Sequence, residues 1–211
     1  MTRTRKPSGR KFSGKGKKPG RRGNNTRSLL PRFLIVCEGE QTEPNYFRSF
    51  RVNVNVKVIG IGRGATNIVK EAITINKKAK RQRENYTDIW IVFDRDDCSA
   101  EDFNTAIEQA RQAGFGVAYS NEAFELWYLL HFDYVNTGVS RQQYQQKLSA
   151  RLNHPYRKND PTLYLDLLTL QEQAIRNAKK LLASYPDHNP ARDNPCTTVH
   201  HLVEKLKKYA R

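Results

Sequence analysis

A chain of 211 residues is long enough for one well-buried domain with an appendage and short for two full domains. The net charge of +16 is uneven: residues 1–32 hold 12 Lys/Arg and no acid, which leaves a body with 25 basic and 21 acidic residues. Three cysteines without CxxC spacing argue against a disulfide framework or a zinc site, and no apolar run approaches the roughly 18 residues of a membrane span, so a soluble, cytoplasmic protein is expected.

Residues 1–32 are dominated by Arg, Lys, Gly, Ser, Pro and Asn. Such a stretch buries too little apolar surface to offset the entropy of ordering, so a disordered tail is expected. It reads either as a polyanion-seeking arm for RNA or DNA or as a solubilising tail.

Phe33-Leu34-Ile35-Val36-Cys37 then forms a continuous apolar run, which suits a strand buried on both faces. It meets Glu38-Gly39-Glu40 at once, and Thr42-Glu43-Pro44 looks like a helix start, with Thr42 as N-cap and the helix over about 43–50. Residues 52–59 alternate apolar and polar, as a half-exposed strand does. Gly60-Ile61-Gly62-Arg63-Gly64 breaks that strand before a helix over about 67–84, whose end carries Lys77, Lys78 and Arg81. The glycines lack the spacing of a phosphate-binding loop, so a plain turn competes with a phosphate contact through Arg63.

A second apolar strand, 88–93, ends in Asp94-Arg95-Asp96-Asp97. Ser99 with Asp102 resembles a capping pair for a helix to about 113, and residues 115–119 make a short strand. From Asn121 onward the pattern reads as helical: a very apolar segment over 123–132, then helices near 140–151, 162–184 and 196–209. The plan is α/β, with a mostly parallel sheet of about four strands flanked by helices. It divides into a tail (1–32), an α/β core (33–132) and a helical C-terminal extension packed on that core (133–211).

Ligands of open α/β sheets sit outside the carboxyl ends of strands, near a topological switch point. Glu38 and the pair Asp94 and Asp96 fall at two such ends, and a hard divalent cation, Mg²⁺ or Mn²⁺, is the partner that such carboxylates suit. The competing reading of Asp94–Asp97 is a polar turn. Glu125 is the one acid in an apolar segment and needs a partner: it either joins the metal site or acts as a base, or it pairs with a core cation or caps its helix with Asn121. His131 is read as a hydrogen-bonded core histidine. Tyr144 and the run Tyr156-Arg157-Lys158 could stack on bases or bind backbone.

Glu-Gly after a buried strand and Asp-x-Asp ending a later one resemble the Toprim fold of topoisomerases, primases and nucleases of the overcoming-lysogenization-defect type. Val36–Phe47, Phe93–Asp96, Ser120–Trp127 with Leu129–Phe132, and Asn194–Val199 together resemble the RloB/AbiLii-like family over roughly residues 33–205. The resemblance implies a bacterial protein linked to restriction-modification or phage defence, with partner proteins from such a system. It also implies a Toprim-type nuclease core, with Glu38 as its glutamate and Asp94 and Asp96 as its aspartate pair. Glu43 resembles the second acidic position, with Glu40 as its rival. Arg95, inside Asp-x-Asp, departs from the small or apolar residue common there and is a candidate phosphate contact.

The expected function is therefore a divalent-metal-dependent endonuclease acting on RNA, such as tRNA, or on DNA. Glu38, Asp94 and Asp96 would hold the metal, with Glu43 or Glu125 completing its shell. Arg63, Arg95, Lys77, Lys78 and Arg81 would touch nucleic acid. The alternative is a non-catalytic nucleic-acid-binding or defence-complex subunit, and a homodimer is compatible with either. Primase-like nucleotidyl transfer is disfavoured because no template-binding zinc module is evident.

Overall fold

The computed structural model describes residues 30–62, 64–96 and 98–211, together with Met1. The basic tail, up to residue 29, therefore lies outside the described residues apart from Met1, as do Arg63 and Asp97.

Four strands are parallel: β1 (Arg32–Cys37), β2 (Asn55–Gly60), β3 (Asp88–Asp94) and β4 (Gly116–Asn121). A fifth, β5 (Cys196–Thr197), pairs antiparallel with β4, and the sheet order is β2-β1-β3-β4-β5. The segment after Asn121 is thus not wholly helical. Two residues of it close the sheet edge, too few to leave a period-2 pattern in the sequence.

The helices that connect the first strands are α1 (Thr42–Arg48), α2 (Ala65–Arg81) and α3 (Ala100–Gln112). After β4 come α4 (Glu125–Leu129), α5 (Arg141–Leu152), α6 (Leu163–Leu168), α7 (Gln171–Ala183) and α8 (Val199–Lys207). The helix expected over 162–184 is broken between α6 and α7. Helix α1 begins one residue earlier than expected, with Gln41 as N-cap, and Thr42 makes no capping bond. Ser99 does cap α3, accepting a hydrogen bond from the Asp102 amide at 3.0 Å.

Strand β1 is the centre of both cores because its side chains alternate between the faces. Leu34 and Val36 face a layer with Ile68 and Val69 of α2 and Phe103 and Ile107 of α3. Phe33, Ile35 and Cys37 face the opposite layer, with Phe47 of α1, Trp127 of α4, Tyr144 of α5 and Leu202 of α8. Residues Phe33 to Cys37 are all 0% exposed, and each large apolar side chain so buried contributes about 1.5–3 kcal/mol. No helix among the described residues is long and apolar enough to cross a membrane, and all three cysteines are free.

Candidate functional site

The chain leaves β1 to one side to form β2 and then crosses back to form β3 on the other side, so the switch point of the sheet lies between the carboxyl ends of β1 and β3. Glu38 follows β1 and Asp94 closes β3. They touch: Glu38 Oε2 accepts a hydrogen bond from the Asp94 amide at 3.2 Å. Asp94 Oδ2 in turn accepts from the Phe124 amide at 3.0 Å, which ties the end of β3 to the start of α4.

A cleft of about 540 Å³ opens over this junction, and its lining includes Glu38, Glu40, Glu43, Asp94, Asp96, Glu125, Arg141 and Lys158. Six of the acids singled out in the sequence thus converge. Glu43 and Glu125 are buried, at 6% and 2% exposure. Glu43 reaches its position because residue 39 is glycine: a Cβ there would lie 2.3 Å from Glu43 Oε2. Glu40 is exposed, so Glu43 is the better placed of the two rivals. Asp96 adopts a positive φ of 30°, a conformation an aspartate tolerates better than most residues.

Burial sets the electrostatics. It pushes the Glu43 carboxyl up to about 7, aided by repulsion from Glu125 and Glu38, against the pull of its own amide and of Lys158. It pushes Asp94 well up, with Glu43 and Glu125 adding to the effect and the Phe124 amide and Arg141 opposing it. Glu38 moves up as well, chiefly by burial, while the Asp94 amide holds it back. Asp94 Oδ1 is buried with no hydrogen-bond partner among the described residues. Crowded carboxylates with an orphaned acceptor fit a divalent cation, which takes oxygen ligands and relieves their repulsion. Glu38, Asp94 and Asp96 are the residues that could hold it.

The cations opposite these acids lie in the C-terminal part. Arg141, the first residue of α5, places Nη2 2.7 Å from Asp96 Oδ2 and 3.6 Å from Asp94 Oδ2. Glu125 Oε1 accepts from Gln145 Nε2 and from the Tyr156 hydroxyl, both at 3.3 Å. Arg141 and Gln145 gave no signal in the sequence beyond being polar residues on one turn of a helix. Asn121 does not cap α4; its amide donates to the carbonyls of Pro190 and Asp193.

The other candidates stand apart. Arg95 turns to the far side of the sheet, its Cζ 6.0 Å from the Phe103 ring centroid, and its Nε is buried without a partner among the described residues. Lys77, Lys78 and Arg81 are exposed in the last two turns of α2, which starts near the cleft and runs away from it. The rise of a helix puts them about 18–24 Å along its axis. Tyr144 is fully buried and cannot stack on a base, whereas Tyr156 serves Glu125. His131 is the core histidine expected, its Nδ1 3.0 Å from the Trp127 carbonyl.

Among the described residues, one trio of His, Cys, Asp or Glu brings ligand atoms within 4.8 Å of one another, and it lies elsewhere: His200, His201 and Glu204. Lys179 already holds Glu204 at 2.6 Å, and the histidines sit in the first turn of α8, whose dipole disfavours a cation. The acids of the cleft are spread more widely, as mutually repelling charges are.

A carboxylate cluster at the switch point of a mostly parallel α/β sheet defines a class: an α/β protein with a candidate cation-binding cleft. Residues 33–206 match the family described as RloB-like protein. The chain belongs to the RloB-like family. No curated protein matches it, and no solved structure matches it.

Proposed function

We propose that the protein is a divalent-cation-dependent endonuclease that cleaves RNA or DNA phosphodiesters, with a Toprim-type catalytic core and a role in bacterial phage defence. The observation that carries this reading is the convergence of Glu38, Asp94, Asp96, Glu43 and Glu125 in one cleft with Arg141 and Lys158. Glu38, Asp94 and Asp96 would hold Mg²⁺ or Mn²⁺, which when bound polarises a phosphoryl oxygen and lowers the pKa of water. Glu43, whose carboxyl is pushed up to about 7, is suited to take a proton from attacking water near neutral pH. Gln145 and Tyr156 fix Glu125 beside it, and Lys158 offers a charge for a substrate phosphate. The basic tail would add salt-sensitive, sequence-independent affinity.

The test is cleavage of a panel of tRNA, mRNA, single-stranded DNA and duplex DNA with Mg²⁺ or Mn²⁺, by wild type, Glu38→Ala and Asp94→Ala. Both variants are expected to fold and to cut nothing; wild-type rates in either would sink the assignment.

The Arg141 bridge to Asp94 and Asp96 favours a second reading, a non-catalytic nucleic-acid-binding subunit of a defence complex whose acids serve only to hold an internal cation. Melting with added Mn²⁺ separates the two. A metal site gives stabilisation by mass action that is lost in Glu38→Ala, and a pure binding subunit gives none.

A further inference from the structure

Arg141 is poorly matched for a purely structural bridge. Its Nη2 meets Asp96 Oδ2 at 2.7 Å and Asp94 Oδ2 at only 3.6 Å. Its Nε is buried without a partner among the described residues, and so is the other oxygen of Asp94. A guanidinium forms its strongest pair with carboxylate by a parallel, two-bond fork, and this contact leaves one donor and one acceptor of the pair unused.

The root of the side chain is fixed even so. Ser140 and Gln143 form a reciprocal capping box that locks the first turn of α5 over the cleft. The Arg141 and Asp96 side chains remain about one-third exposed, at 32% and 36%, so solvent can replace the Asp96 half of the bridge at little cost. A divalent ion held by Asp94 and Asp96 would need the space, and the negative charge, that the guanidinium now uses.

We infer that Arg141 is a built-in counter-ion that holds Asp94 and Asp96 in the absence of metal, competes with the incoming cation, and once displaced meets the phosphate of a substrate in the same cleft. The inference rests on the metal-dependent reading above. Arg141 thereby has two states, and the apparent metal affinity of the protein includes the free energy of breaking its bridge.

The experiment titrates Mn²⁺, and separately Ca²⁺, into wild type, Arg141→Gln and Arg141→Lys by calorimetry, and melts each protein in EDTA. Arg141→Gln is expected to bind the ions more tightly, by about tenfold, within the usual range for two coupled ligands. It is also expected to melt lower in EDTA and to lose cleavage rate despite its tighter ion. Arg141→Lys, which keeps the charge and loses the fork, is expected to fall between the two and carries the affinity measurement should Arg141→Gln fail to fold. Wild-type ion affinity and wild-type EDTA melting in the variants would overturn the counter-ion role while leaving the metal site standing. If wild type binds neither ion, the metal reading fails, and this inference falls with it.

Discussion

Glu43→Gln gives the sharpest test of the electrostatics of the cleft. The native fold raises the proton affinity of Glu43 from an ordinary value near 4.5 to about 7, so the folded protein binds that proton more tightly than the unfolded chain does. Stability from this group is therefore greatest below pH ~4.5 and is lost progressively up to pH ~7. At about 1.4 kcal/mol per pH unit the loss amounts to about 3 kcal/mol. With only 6% of the residue exposed, solvent screening takes little of that away. Glutamine keeps an oxygen for the backbone contact and removes the charge. In EDTA at pH 7.5 the variant should melt about 6–12 °C above wild type, given roughly 2–4 °C per kcal/mol for a chain of this size, and the two should converge near pH 4.5. Differential scanning calorimetry across that range checks it. Parallel pH profiles for the two proteins would refute the argument that a buried, repelled carboxylate at position 43 stores this energy.

Gly39→Ala should displace the Glu43 carboxylate, since the new Cβ would sit 2.3 Å from its Oε2. Because the obstructed atom is the end of a flexible side chain, the fold should persist while cleavage falls by about tenfold or more. Tyr156→Phe leaves Glu125 with Gln145 as its remaining side-chain donor, and urea denaturation should show a loss of about 1–3 kcal/mol. Deleting residues 1–29 removes 11 Lys/Arg; fluorescence anisotropy should show weaker nucleic-acid binding and a shallower dependence of log K on log salt.

Much of this was legible in the sequence because the relevant signals are local. An unbroken apolar run reports a strand buried on both faces, and β1 is one. An acid directly after such a run reports a strand end, and Glu38 and Asp94 meet as their positions imply. The signals failed where the cause is long-range. Arg141 lies 45 or more residues beyond Asp94 and Asp96, on a helix whose polar residues look like any solvated face; only the docking of α5 turns it inward. The place of Arg95 within Asp-x-Asp suggests a phosphate contact, yet the alternation of a strand end sends it to Phe103 on the opposite face. The basic run of α2 offered charge without direction, and the helix carries it away from the cleft. Strand β5, at two residues, is specified by pairing with β4 and by nothing in its own composition.

The separation of charge along the chain has a consequence for how the protein is made. Glu38, Glu43, Asp94, Asp96 and Glu125 all leave the ribosome before Arg141, Gln145, Tyr156 and Lys158, the groups that face them. At roughly 5–20 residues per second, the stretch between Glu125 and Lys158 takes a few seconds to emerge. During that interval the nascent protein carries a complete set of acids with no cation from α5 and no β5 along the edge of β4. The segment that finishes the cleft is therefore synthesised after all of the acids it faces, and a chain that has not reached it, still tethered amid the RNA of its own translation machinery, lacks the groups that would hold a phosphate there.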